Sequence, residues 1–512
     1  MERNNILDDV THPELIFGLV GPIGVNMDDV QASLAEALKQ VGYQTKLIHL
    51  TEVIGSKREL IGPNPGTVYG QKIETANLFC RTAENGAALA GVAIAEIRKF
   101  REANTQEAAA EGGTIPAIPK QAYIIRQLKR ADEIKLLRNL YGDKFLQISV
   151  SLEKDARVQN LVSKLSRDHP HMKQHECEAE ARRLIEVDEH EEGDDFGQQV
   201  GDIFHLGDFF VHAGDKTKMA AKSLHFIRAF FGDNAKSPNP DEFGAFMAAS
   251  ASLRTVDLSR QVGAAITTKS GDIVSVGCNE VPKAGGGNYW IQDDPIDRDI
   301  ERGTEQNSIE KQRIIVDFLQ QLSSVGFVTL QENLESPEMK EKLDAAVDDA
   351  LISDITEYGR MTHAEMTAIC DAARLGRSLQ GTTIFVTTFP CHNCAKHIVA
   401  SGIDRVVYIE PYPKSKATSS HTDAISIDGV HNGKVAFEHF EGIAPTRYPD
   451  IFRKGKRRKG NKVLEWYEGE PRPRIAQRDN LHVNREDVAA YSVLKKLTEQ
   501  TKDQEAQNAP QE

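Results

Sequence analysis

The sequence predicts an α/β protein of more than one domain. Three observations carry this expectation. Short apolar runs alternate with helical stretches, the first run enters a glycine-rich turn, and 512 residues exceed what one domain normally holds. Leu15–Val20 reads as a buried strand entering a tight turn through Gly18, Gly21 and Gly24. Asp28–Val41 carries apolar residues at helical spacing, Thr45–Ile54 reads as a second strand, and Gln71–Arg101 reads as one long helix. Ala122–Arg126 and Phe145–Val150 are further strands, separated by the helical Ala131–Leu140. This order favours a parallel sheet. Asp155–Phe196 is highly charged and resembles a helical lid, and Thr217–Phe231 is expected to close the domain before a linker, Gly232–Pro240.

The second half opens with a helix, Asp241–Leu253, and two strands, Gly263–Thr268 and Asp272–Gly277, joined by a Lys-Ser-Gly turn. A long insertion, 282–360, starts with Ala284-Gly-Gly-Gly287 and is otherwise helical and charged. Thr362–Leu375 then reads as a helix, Thr383–Thr387 as a strand, Cys391–Ser401 as a helix and Arg405–Ile409 as a strand. The expected domains are 1–232 and 233–443, followed by a basic, then helical, tail over 444–512.

Composition narrows the function classes. Hydrophobic residues make up 40% and charged residues 27%, as in ordinary globular protein. The formal net charge is −14, which argues against a polynucleotide-coating role, because such binding neutralises phosphates. Six cysteines in 512 residues are too few for a disulfide framework. Met1–Val10 is polar and lacks the apolar core of a signal peptide, and no apolar run approaches the roughly 20 residues of a membrane span. A cytoplasmic protein with no membrane partner is expected.

The chemistry is concentrated in His363-Ala-Glu365, followed by Pro390-Cys-His-Asn-Cys394. This is the H-x-E…P-C-x-x-C pattern of zinc nucleobase deamination. One imidazole (His363) and two thiolates (Cys391, Cys394) give three protein ligands and leave a fourth tetrahedral position for water, as a catalytic Zn2+ requires. Zinc lowers the pKa of its water to about 7. Glu365, beside the metal but not a ligand, has the chemistry to take the water's proton and pass it to the base. Both motifs are expected at helix starts, where an N-terminus favours thiolates. Taken alone, Thr362-x-x-Glu365 also reads as a capping box, and Cys-x-x-Cys as a redox pair or as half of a structural zinc site with His392 or Cys370 as a spare ligand. Cys278 and Cys370 otherwise read as small buried residues.

Gln261-Val-Gly-Ala264, Val276-Gly-Cys-Asn279, His363-Ala-Glu365, Thr388-Phe-Pro-Cys-His-Asn-Cys-Ala-Lys396 and Val407-Tyr-Ile-Glu-Pro-Tyr-Pro-Lys414 resemble deoxycytidylate deaminases in order and spacing. The resemblance covers about Asp241 to Ile443 and implies a cytidine deaminase-like α/β/α domain. Through it, Asn279 becomes a candidate sugar contact. Arg260 is a candidate phosphate contact or a strand-edge surface arginine, and Tyr412 a base-stacking or a packing tyrosine. The insertion 282–360 exceeds that of plain deoxycytidylate deaminases and leaves phosphate preference open.

Phe17-Gly-Leu-Val-Gly-Pro-Ile-Gly24 resembles the P-loop of small nucleotide kinases, which implies a kinase-like parallel-sheet domain in front. Against the G-x-x-x-x-G-K-[ST] template counted from Gly21, the second glycine falls on Asn26, the lysine on Met27 and the hydroxyl on Asp28. The loop is degenerate, suited to sensing a nucleotide or partner rather than to phosphoryl transfer. A simple glycine turn is the alternative. The whole arrangement resembles bacterial anti-phage dCTP deaminases. That resemblance implies deamination of free dCTP to dUTP and dCMP to dUMP, depletion of dCTP in antiviral defence, homo-oligomers, and a nucleotide or RNA regulator. A polynucleotide deaminase, or a non-enzymatic regulator with structural zinc, are the competing readings. Arg453-Lys-Gly-Lys-Arg-Arg-Lys459 is the densest positive run, a solvated loop or a phosphate or RNA contact.

Overall fold

The structure is a computed structural model. It describes residues 10–55, 66–105, 115–189, 191, 194–330, 334, 336–347, 350–355, 357–427, 433–476 and 479–507. The polar N-terminal segment, apart from Val10, lies outside the described residues. The chain divides into two compact units, 1–242 with 441–512, and 243–440. No helix among the described residues is long and apolar enough to cross a membrane.

The first unit is built on a sheet of strands β1 (Leu15–Val20), β2 (Gln44–His49), β3 (Gln121–Leu128), β4 (Phe145–Ser151) and β5 (Phe209–His212). The order is β5-β4-β1-β3-β2 with every neighbouring pair parallel, and Gly442–Ile443 adds an antiparallel edge to β5. Both faces are covered, so β1 is buried throughout. Its alternation sends Leu15, Phe17 and Leu19 into a core with Leu34, Phe226 and Phe230, and Ile16 and Val20 into another with Ile94, Ile97 and Tyr123.

Several expectations need correction here. Gln71–Arg101 is two helices, Val68–Ala83 and Ala88–Asn104, broken where Glu84 turns left-handed (φ 52°) before Asn85-Gly86. The second strand stops at His49, and Leu50 starts a helix. The charged lid is a helix pair, Lys154–Asp168 and Gln174–Glu189, closed by its own apolar cluster of Val158, Leu161, Leu165, Cys177, Ala181 and Ile185. The linker and tail are built into this unit. Asp233 bonds Arg228 at 2.6 Å, Arg447 bonds Asp208 at 2.8 Å, and Glu486 bonds the buried Arg101 at 2.6 Å. These ties hold 233–242 and the tail to the first unit, so the compact division falls after 242 instead of 232.

The second unit carries β6 (Gly263–Thr267), β7 (Ile273–Cys278), β8 (Thr383–Thr388), β9 (Arg405–Glu410), β10 (Ile425–Ile427) and β11 (Val435–His439) in the order β10-β11-β9-β8-β6-β7. β6 is antiparallel to β7 and β8, and the remaining pairs are parallel. The helix Ala364–Arg374 lies against β7 at Gly277, where a Cβ would stand 2.2 Å from the Ala364 carbonyl oxygen and 2.6 Å from the Ala368 nitrogen. A side chain at 277 would therefore push the helix off the sheet. Ala364, Ala368, Ile384, Val386, Phe389 and Ile398 form the core beneath the site.

Candidate metal centre and active site

The two motif segments meet at two helix starts. His363 is the N-cap of Ala364–Arg374, and Thr367 N–H donates to its carbonyl at 2.8 Å. Cys391 is the N-cap of His392–Ala400, and Ala395 N–H donates to its carbonyl at 2.9 Å. Neither N-cap side chain makes a capping hydrogen bond, and the two face each other across the site. The expected Thr362 capping box does not form. Thr362 instead pairs backbone to backbone with Glu280, at 3.1 and 3.2 Å. Pro390 likewise precedes the N-cap rather than starting the helix.

His363 Nδ1 lies 3.4 Å from Cys391 Sγ and 3.3 Å from Cys394 Sγ, and the three ligand atoms lie within 4.8 Å of one another. Tetrahedral zinc with bonds near 2.0 and 2.3 Å needs N–S separations of about 3.5 Å, so this donor set fits the metal. No fourth ligand joins the group among the described residues. His392 pairs instead with Glu357 at 3.5 Å, and Cys370 is exposed, contrary to the expectation that it is buried. Cys278 is buried.

The electrostatics suit a cation. Hydrogen bonding from Cys394 and from His363 outweighs burial and pulls the Cys391 thiol down to about 4. His363 is raised to about 9, first by the Cys391 contact and then by the neighbouring charges of Glu365 and Asp257, against burial. Glu365 is 4% exposed, and burial followed by the Cys391 charge raises its carboxyl above the ordinary range.

The remaining candidates fall differently. Asn279 is buried, and its side chain makes two hydrogen bonds to the neighbouring backbone. It accepts from Val262 N–H at 2.7 Å and donates to the Arg260 carbonyl at 2.7 Å, so it shapes the 260–262 backbone. Arg260 is exposed, with Nη1 3.4 Å from Glu410 Oε1. Tyr412 packs half-buried against the apolar core. Gly18 lies inside β1, where a Cβ would strike Leu128 at 2.6 Å and the Phe145 ring at 2.8 Å, and only Gly21 and Gly24 belong to the turn.

Sequence reasoning missed three supports. Glu280 braces the segment before His363 through Thr362 and accepts from Val256 N–H at 3.3 Å. Asp257 accepts from Ser259 at 2.6 Å, and its enclosed Oδ2 has no hydrogen-bond partner among the described residues. Glu410 accepts from Thr388 at 3.1 Å while facing Arg260. The Asp257-x-Ser259 turn was a readable signal. The other two depend on tertiary pairing. A small cleft beside Asp257 is lined by Val256, Glu280, Met361 and, from the insertion, Arg298.

Residues 244–410 match the family model described as the cytidine and deoxycytidylate deaminase zinc-binding region. This part of the chain is similar to that zinc-binding region, and its His-Cys-Cys group is able to hold a metal. Among known proteins, the chain is 54% identical over 54 residues to the deoxycytidylate deaminase of Enterobacteria phage T2, covering 10% of this chain and 29% of that one. It is 43% identical over 53 residues to ComE operon protein 2 of Bacillus subtilis (strain 168), covering 10% and 28%. It is 35% identical over 54 residues to human deoxycytidylate deaminase, covering 10% and 29%. The chain thus spans less than a third of the length of these curated relatives. Of solved structures, the dCMP deaminase of cyanophage S-TIM5 in complex with dCMP and dUMP aligns over 40% of this chain and 99% of that one, at 17% identity and a TM-score of 0.22.

Proposed function

We propose that the chain is a zinc-dependent hydrolytic deaminase of free cytosine deoxynucleotides, converting dCTP to dUTP and dCMP to dUMP. The observation that carries this reading is the His363, Cys391 and Cys394 group with the buried Glu365 beside it. His363, Cys391 and Cys394 are the metal ligands, and Zn2+, when bound, supplies a water activated near neutral pH. Glu365 moves the protons. Its carboxylate accepts one from the attacking water, delivers it to the ring nitrogen, and assists departure of the exocyclic amine as ammonia. Burial favours this role, because a raised carboxyl exchanges protons closer to neutral pH. Asn279 holds the Arg260–Val262 backbone in place as a positioning residue, and Arg260 is the phosphate contact, competing with Glu410.

The net charge of −14 favours a free nucleotide over a polynucleotide. The phage and cellular deoxycytidylate deaminases among the relatives favour a deoxynucleotide. We assign the biological role as depletion of dCTP in antiviral defence, by a cytoplasmic homo-oligomer. The front unit is read as a degenerate P-loop kinase-like module that senses a nucleotide or RNA. Supporting this, β1 is central with β3 and β4 on opposite sides, and the Gly21–Gly24 turn follows its carboxyl end. Incubating the purified chain with dCTP, dCMP, CTP and single-stranded DNA, and measuring ammonia and uracil products, tests the reading. Turnover of dCTP and dCMP is expected. Turnover confined to DNA, or none with zinc fully loaded, would replace it with one of the competing functions.

A further inference from the structure

The turn after β1 stands where a phosphate-binding loop would, but it is filled from inside. Ile23 N–H donates to Asp188 Oδ2 at 2.6 Å. Lys129 Nζ donates to Asp188 Oδ1 at 2.7 Å and to the Gly21 carbonyl at 2.7 Å. The Lys129 and Asp188 side chains are 8% and 1% exposed. The turn therefore already presents a backbone N–H and an ammonium to a buried carboxylate.

The cation also comes from an unexpected place. Met27 occupies the usual lysine position and is buried in the core. Lys129 arrives instead from the residue after β3, the strand beside β1. Two further cations line the neighbourhood with N–H groups unspent among the described residues. Arg157 Nε and Nη1 and Arg126 Nε are enclosed without a partner. The Arg157 side chain is 8% exposed, and Gly24 lies on it so closely that a Cβ would stand 2.8 Å from Arg157 Cβ. Lys164, beside Arg126, is held below its ordinary value by burial and then by that like charge. Asp188 thus fills the turn at Ile23, while Arg157 and Arg126, paired with Glu189 and Asp28, keep enclosed N–H groups unspent among the described residues.

Asp188 belongs to the Gln174–Glu189 helix, whose apolar partners lie chiefly in the Lys154–Asp168 helix. That satellite cluster is separate from the two cores against the sheet, so this helix can shift without opening them.

We infer that Gly21, Ile23 and Lys129 form a site for the phosphates of a nucleoside polyphosphate, and that Asp188 occupies it as an internal anion which the ligand displaces. Lys129 replaces the lysine missing at position 27, and displacement of Asp188 frees the Gln174–Glu189 helix as the signal. This rests on the reading of the front unit as a nucleotide sensor.

Calorimetric titration of the full chain with inorganic tripolyphosphate and with ATP tests it, using Asp188→Asn alone and combined with Lys129→Met, each checked for folding by thermal melting. Asp188→Asn keeps the acceptor and removes the competing charge. It should bind both probes at least tenfold tighter than the unmodified chain, and adding Lys129→Met should abolish the gain. Binding at the zinc site would not respond to Lys129. Hydrogen exchange on the unmodified chain gives a readout free of substitutions, with exchange in Gln174–Glu189 expected to rise when ATP is added. ATP binding that ignores both substitutions and leaves that helix unchanged overturns the site while leaving a sensor elsewhere in the unit. Absence of any binding outside the zinc site overturns the sensor reading as well.

Discussion

Glu365 occupies the second helical position behind the His363 N-cap, buried at the mouth of the metal group. Because Thr362 is engaged with Glu280, shortening Glu365 breaks no capping box. Glu365→Ala should therefore retain zinc and fold normally while losing about 10²–10⁴-fold in deamination, the usual contribution of a general acid–base group. Metal analysis beside dCTP turnover checks this, and a zinc-loaded variant with ordinary turnover would mean that another group carries the proton. At this scale the sequence was most readable. His363, Glu365, Cys391 and Cys394 announce themselves because ligand identity and one-turn spacing are local properties. Asn279 was not readable in the same way. Its amide makes one accepted and one donated bond to the Arg260–Val262 backbone, a tertiary pairing that residue identity does not display.

Among the elements, the Ala364–Arg374 helix matters most, because its distance from β7 sets where His363 and Glu365 stand. Gly277 permits that distance, with Ala364 and Ala368 backbone atoms inside the reach of any Cβ. Gly277→Ala should cost about 1–3 kcal/mol through overpacking and displace the helix, lowering both melting temperature and turnover. Unchanged melting and turnover would show that the helix has slack there. Strand–helix alternation was legible across both halves from the period of the apolar residues. The break at Glu84 was signalled by Asn85-Gly86, a turn pair set within an otherwise continuous helical pattern. The helical start at Leu50 was hidden, since six residues show too little periodicity to distinguish helix from strand.

Across the whole molecule, long-range ion pairs decided what the sequence concealed. The tail looked like an appendage. Yet Glu486 reaches Arg101 at 2.6 Å, Arg101 reaches Glu14 at 2.7 Å, and Tyr123 donates to Glu14 at 2.9 Å, all buried and far apart in sequence. Burial raises the Glu14 carboxyl, but hydrogen bonds from His482 and Arg101 outweigh it and hold it down at about 2. A carboxylate lowered on folding stabilises above its unfolded value near 4.5 and loses that contribution as pH falls towards 2. Up to about 3 kcal/mol is at stake. Melting temperature of the full chain should fall between about pH 5 and pH 2, and Glu14→Gln should be less stable at neutral pH with a shallower acid slope. An identical slope in the variant would remove Glu14 from that account. If His363, Cys391 and Cys394 together hold the zinc, the metal content of each chain depends on all three. One zinc per purified chain is predicted, falling to none in folded Cys391→Ala and Cys394→Ala proteins. Full zinc occupancy after either cysteine is removed would contradict the assignment.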